Sequence, residues 1–165
     1  YTSATEDFVI VERMPGTTER VRTVLSTDRL LEYQQAAASV FVAPSLMASA
    51  VRLVRATREP RLQGLDGIAP YILYGASPRA AINLALGARA RAFLHGRDYA
   101  LPDDVRDLAL DVMRHRLVLS YEALADGVTA DELLHQVLLS VSPPEVALDD
   151  RARNLDTVAP GSQPG

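Results

Sequence analysis

Three prolines do most to limit what this chain of 165 residues can become. Pro44, Pro78 and Pro102 each stand directly ahead of a run whose apolar residues recur at the helical period. Proline is tolerated as the first residue of a helix, because an amide there would lack an intrahelical partner and the fixed φ already suits the turn. They therefore read as three helix starts, not three breaks. From Pro44, the spacing of Leu46, Ala50, Leu53 and Val54 predicts a helix to about Arg58. From Pro78, with Ser77 as a hydroxyl cap, a helix is predicted to about Leu94, where Gly96 supplies the stop. Its expected buried stripe is Ile82, Leu86, Ala90 and Phe93, with Arg89, Arg91 and Arg97 toward solvent. From Pro102, Asp103 and Asp104 fall in the first turn, where the helix dipole favours carboxylates. Val105, Leu108, Ala109 and Val112 then face inward, and Arg114, His115 and Arg116 suit the negative end.

The intervals are read by the same rules. A short apolar-rich segment over 6–14 is stopped by Pro15-Gly16. Ser26 or Thr27 caps a helix over 28–38, and the capping box of Thr129 and Glu132 launches another through Leu133, Leu134, Val137, Leu138 and Val141. Residues 23–25 and 40–42 are β-rich enough to pair as a ribbon, and 117–119 reads as extended or a short turn. The punctuated stretch 60–74 carries Leu62, Leu65, Ile68, Tyr71 and Ile72, so it either packs back or meets a partner. The expected fold class is mainly α: a small helical bundle with room for one short two-stranded ribbon. Three segments follow: a lead-in helix and linker over 1–22, the helical domain over 23–142, and a Pro/Gly tail over 143–165 expected to be disordered.

Composition removes many function classes. All 17 basic residues are arginine, so there is no phosphate-loop lysine, no Schiff-base lysine and no lysine general base. Without cysteine there is no disulfide scaffold, thiol nucleophile or Cys-ligated zinc, which fits a reducing compartment and an expected cytoplasmic location. His95, His115 and His135 stand 20 residues apart with no metal-ligand spacing, so no metal site is expected. No apolar run approaches the roughly 18 residues of a membrane span. A net charge of −4 argues against nucleic acid as a partner.

One residue breaks a local rule. Arg79 is the second residue of its predicted helix, where backbone amides already present partial positive charge. A cation there is unfavourable unless it is paired with an acid such as Asp66 or an anion occupies the spot. Amides, dipole and guanidinium together would make a phosphate site.

The residues around Arg79 carry a resemblance. Gly75-Ala76-Ser77-Pro78-Arg79-Ala80, then Ala88-Arg89-Ala90-Arg91-Ala92, Leu94-His95-Gly96-Arg97-Asp98-Tyr99 and Pro102-Asp103-Asp104-Val105 closely resemble the lid domain of the MoxR family of AAA+ ATPases. Val112-Met113-Arg114-His115-Arg116-Leu117 and Gly127-Val128-Thr129 continue it downstream, and Leu53-Val54-Arg55-Ala56-Thr57-Arg58 upstream, so that it covers roughly 1–144. The resemblance implies that Arg79 is the sensor-2 arginine, which contacts the γ-phosphate of ATP held in an ATPase core, with Ser77 and Pro78 setting its direction. It further implies ATP and Mg2+ as cofactors of a parent protein, a homo-oligomeric ring, commonly hexameric, and a partner with a von Willebrand factor A domain. The parent would be a chaperone-like machine that remodels or matures protein complexes.

The chain's opening Tyr1-Thr2-Ser3 reads as a piece of something longer. The phosphate loop and the magnesium-holding acids belong to the core, so the fragment alone is expected to be inactive and to hold no cofactor. Two other readings stay open: a helical nucleic-acid-binding module, and a plain protein-interaction module with no nucleotide role.

Overall fold

The computed structural model describes residues 3–13 and 22–144. Helices begin where prolines and caps put them. α1 (Ala4–Arg13) starts after Ser3, whose amide and hydroxyl both donate to the Glu6 carboxylate, at 2.7 and 2.9 Å. α2 (Thr27–Ala38) starts after Ser26, whose hydroxyl accepts from the Arg29 amide at 3.2 Å. α3 (Pro44–Arg58), α4 (Pro78–Leu94) and α5 (Pro102–Met113) each carry proline in the first turn. α6 (Tyr121–Asp126) is capped by the Ser120 hydroxyl, and α7 (Ala130–Ser140) by the reciprocal Thr129–Glu132 box. The fold is mainly α, as expected. α6 is an addition: a cap and Gly127 (φ 69°) enclose six residues, too few to show a helical period.

The chain divides into two units, Tyr1–Glu32 and Tyr33–Gly165. In the first, every described side chain is exposed, Phe8, Ile10 and Val11 among them. The second holds the core. α3 contributes Leu46, Ala50, Leu53 and Val54, α5 Val105, Ala109 and Met113, and α7 Leu133, Leu134 and Val137. α4 packs against both α3 and α5.

The buried face of α4 is not the predicted one. Ala80, Leu84, Ala88 and Ala92 are fully buried, whereas Ile82 is 59% exposed, Leu86 55% exposed, Ala90 exposed and Phe93 half-buried. The reason is steric. A helix held between two others gains most dispersion contact by turning its smallest side chains to them, since short side chains let the axes approach. At Gly87 an added Cβ would lie 2.8 Å from Leu108 Cδ1 of α5, so Leu108 would have to shift to admit any side chain there.

The ribbon also differs from expectation. β1 (Ile72–Tyr74) pairs antiparallel with β2 (Val118–Leu119), Ile72 opposite Leu119 and Tyr74 opposite Val118. Residues 23–25 form no strand, and Phe41 makes an isolated parallel bridge to Tyr99 instead. Its amide donates to Asp98 O and its carbonyl accepts from the Ala100 amide, both at 2.9 Å. β-propensity marked a strand-like segment but could not name its partner. The 60–74 stretch packs back through Ile68, which is fully buried, while Leu62 stays exposed. Of the tail expected over 143–165, residues 145–165 lie outside the described residues; so does 14–21 of the expected lead-in.

Candidate functional site around the N-terminus of α4

The ribbon delivers the chain to α4. Tyr74 ends β1, Gly75 and Ala76 turn across the end of α3, and Ser77 begins the helical turn. Ser77 has extended backbone angles, φ −76° and ψ 166°, as a residue flanking a helix start should. Its carbonyl accepts from the Ala80 amide at 2.9 Å. Its hydroxyl, however, makes no hydrogen bond to the helix amides, so the expected side-chain cap is absent. Pro78 in the first turn starts the helix without it. Ser77, Pro78 and Arg79 are all exposed.

Arg79 is therefore an exposed cation at a helix N-terminus. Among the described residues it makes no ion pair, with Asp66 or with any other carboxylate. The partial positive charge of the helix end is thus left without a negative partner among the described residues. What the arrangement can do chemically is bind an anion.

The turn beneath Arg79 is tightly held. Thr57, fully buried in the last turn of α3, donates its hydroxyl proton to Val54 O at 2.7 Å. The Thr57 hydroxyl oxygen in turn accepts from the Ala76 amide at 3.0 Å. Gly75 crosses so close that an added Cβ would lie 2.3 Å from Thr57 O and 2.6 Å from the Arg58 amide nitrogen. Any side chain at 75 would displace backbone. The bond from Ala76 to Thr57 joins residues 19 apart, a pairing that no local spacing in the sequence reveals.

At the other end of α4 lies an ion cluster, also missed. Asp104 is 2% exposed and holds Arg97 through two bonds of 2.7 Å, one to each carboxylate oxygen. It also accepts from the Leu101 amide at 2.7 Å, and Arg91 Nε stands 3.4 Å away. Arg91 reaches on to Asp107. Burial would raise the Asp104 carboxyl, but the bonds from Arg97 and Leu101 and the charges of Arg97 and Arg91 outweigh it and hold the group below its ordinary range. The fork from Asp104 in turn raises Arg97. Asp104 is thus more than a dipole residue, and Arg97 turns inward. A carboxylate at the third helical position was the legible half of this arrangement, because it satisfies an amide three residues back.

The histidines do little: His95 and His135 place Nδ1 2.8 and 2.7 Å from the carbonyls of Arg91 and Asp131, one turn earlier. Among the described residues no group of His, Asp or Glu could hold a metal ion, and no helix is long and apolar enough to cross a membrane.

Comparison with known proteins agrees with this architecture. A family model described as an AAA lid domain matches residues 66–137, from the turn before β1 to the core of α7. Chaperone MoxR1 of Mycobacterium tuberculosis is 41% identical over 146 residues, which is 88% of this chain and 39% of that protein. Protein MoxR of Methylorubrum extorquens is 38% identical over 107 residues, 61% of this chain and 31% of that protein. A crystal structure assigned as an ATPase of Cytophaga hutchinsonii superposes with a TM-score of 0.73 at 36% identity, over 88% of this chain and 44% of that one. The chain thus spans less than half the length of these relatives.

Proposed function

Because this chain belongs to the MoxR family of AAA+ ATPases and carries their lid domain, we propose that it closes over ATP bound in an ATPase core and that Arg79 is its sensor-2 arginine. ATP, with Mg2+, would be held by a phosphate loop and acidic residues that this lysine-free chain does not contain. This chain's own contribution is a guanidinium and a helix end. Arg79 binds the γ-phosphate, Pro78 starts the helix that aims it, and Ser77 lies at the mouth of the same site. When that phosphate leaves, Arg79 loses its anion and the lid is free to turn. Residues 1–22 lead in from the core, 23–142 form the lid, and the 143–165 tail follows.

The observation that carries this reading is the guanidinium of Arg79, exposed at the positive end of α4 and in no ion pair among the described residues. A cation in that position is otherwise unfavourable, and a phosphate removes the penalty. The whole protein is proposed to be a cytoplasmic, ring-forming machine, commonly hexameric, whose partners are neighbouring subunits and a protein with a von Willebrand factor A domain. Its work, as the name of its mycobacterial relative says of that protein, would be that of a chaperone.

The test is Arg79→Ala in the complete ATPase. Assembly should survive, because the side chain is exposed and forms no ion pair among the described residues, while ATP turnover falls at least roughly tenfold, about 1.4 kcal/mol of barrier. Turnover equal to the unmutated protein would overturn the sensor-2 assignment and favour a plain interaction module.

A further inference from the structure

We infer that Thr57 is a positioning residue for Arg79: its buried hydroxyl ties the last turn of α3 to the backbone that delivers the arginine. The inference rests on the reading of Arg79 given above.

The hydroxyl has one proton and spends it on Val54 O, at 2.7 Å. Toward Ala76 it can therefore only accept, and the Ala76 amide donates to it at 3.0 Å. The polarity of the link is fixed. Both ends are fully buried, Thr57 and Ala76 each at 0% exposure, so water cannot replace either bond. The surroundings of Thr57 on α3 are aliphatic, Leu53, Val54 and Ala56 all being buried. An isosteric valine would fill the same volume, and packing alone gives no reason for a hydroxyl. What needs the oxygen is the Ala76 amide, which lies ahead of α4 and has no helical carbonyl to use.

Little slack remains between this link and Arg79. Gly75 already abuts Thr57 O, Pro78 has a locked φ, and Ala80, the residue after Arg79, is itself fully buried. Arg79 is thus an exposed side chain on a backbone clamped at Ala76 and at Ala80. Its guanidinium is free to meet an anion, while its Cα moves only as α3 moves. With valine at 57, Val54 O and the Ala76 amide would each lose a partner in a dry site, and the turn would shift to find others. A displacement of that kind is felt at a group that must meet a phosphate oxygen at hydrogen-bond distance.

The experiment is a double-mutant cycle in the complete ATPase, reading ATP turnover for Thr57→Val, Thr57→Ser, Arg79→Ala and Thr57→Val with Arg79→Ala. Thr57→Val should lower turnover about fivefold, the worth of one buried hydrogen bond. Thr57→Ser, which keeps the oxygen, should stay within about twofold of the unmutated protein. In the Arg79→Ala background Thr57→Val should add nothing, because its effect passes through that arginine. Thr57→Val at full turnover, an equal loss in Thr57→Ser, or an undiminished loss in the Arg79→Ala background would each overturn the positioning role while leaving Arg79 in place. Arg79→Ala at full turnover would instead sink the underlying reading. Should Thr57→Val fail to fold, amide hydrogen exchange on the unmutated protein decides: the Ala76 amide should exchange as slowly as the interior of α4, and exchange as fast as an unstructured amide overturns the link.

Discussion

At Gly75 the absence of a side chain is what lets the chain cross α3. A Cβ would come within 2.3 Å of the Thr57 carbonyl oxygen, a backbone atom that cannot swing away. Gly75→Ala should therefore destabilise the protein by about 2 kcal/mol through overpacking, measured by urea unfolding. Asp104 makes the opposite kind of demand. Its carboxylate is buried and bonded to Arg97 on both oxygens and to the Leu101 amide, so Asp104→Ala leaves a half-buried cation and a helix-end amide without partners. The expected loss is about 3 kcal/mol, read as a fall in Tm of roughly 10 °C. Neither residue could be valued from its neighbours in sequence. In the sequence Gly75 stands only as the first residue of the run Gly75–Ala80 and Asp104 as a dipole-complementing acid, because the role of each is defined by a group from another segment.

Among the elements, α4 separates what periodicity can say from what it cannot. The extent Pro78–Leu94 follows from a proline at one end and Gly96 beyond the other, both local signals. Which side faces inward depends on α3 and α5, and these select the alanine face over the larger Ile82 and Leu86. Ile82→Gln should accordingly change stability by less than about 0.5 kcal/mol, as an exposed substitution does. Ala88→Leu, by contrast, should cost about 1–3 kcal/mol by forcing α4 from its neighbours. Thermal melts of the two variants check the assignment, and equal shifts would contradict it. At α7 the expectation is simpler. The Thr129 hydroxyl and Glu132 carboxylate satisfy each other's amides, so Thr129→Ala should cost about 1 kcal/mol.

For the molecule as a whole, stability and activity should respond to different residues. Arg79 is exposed and makes no ion pair among the described residues, so Arg79→Ala should leave Tm unchanged, while under the proposed sensor-2 role ATP turnover of the complete protein falls. Acid should act on the fold through its carboxylates. Asp104 is held low as described above, Glu59 by the hydrogen bond from Arg55, and Glu132 by the Thr129 amide. A carboxyl with a depressed folded-state pKa contributes stability that is fully present above its unfolded value and is lost as pH falls through the folded one. Unfolding midpoints should therefore hold from neutrality to about pH 4 and decline below it. Asp104→Asn should flatten that decline, and an unaltered slope would show that the acid sensitivity lies elsewhere.

The proline helix starts, the glycine stop and the Thr129–Glu132 box were determined by the sequence itself, though not the Ser77 cap, because such residues act on backbone groups within about four residues. The anomaly at Arg79 was legible for the same reason: a charge and a helix end adjoin along the chain. Only the tertiary structure decided the rest. The buried face of α4, the pairing of 72–74 with 118–119, the inward turn of Arg97 and the bond from Ala76 to Thr57 each join groups that no local rule relates. Those outcomes depend on how closely three helices can approach, and that distance is set by the smallest side chains between them.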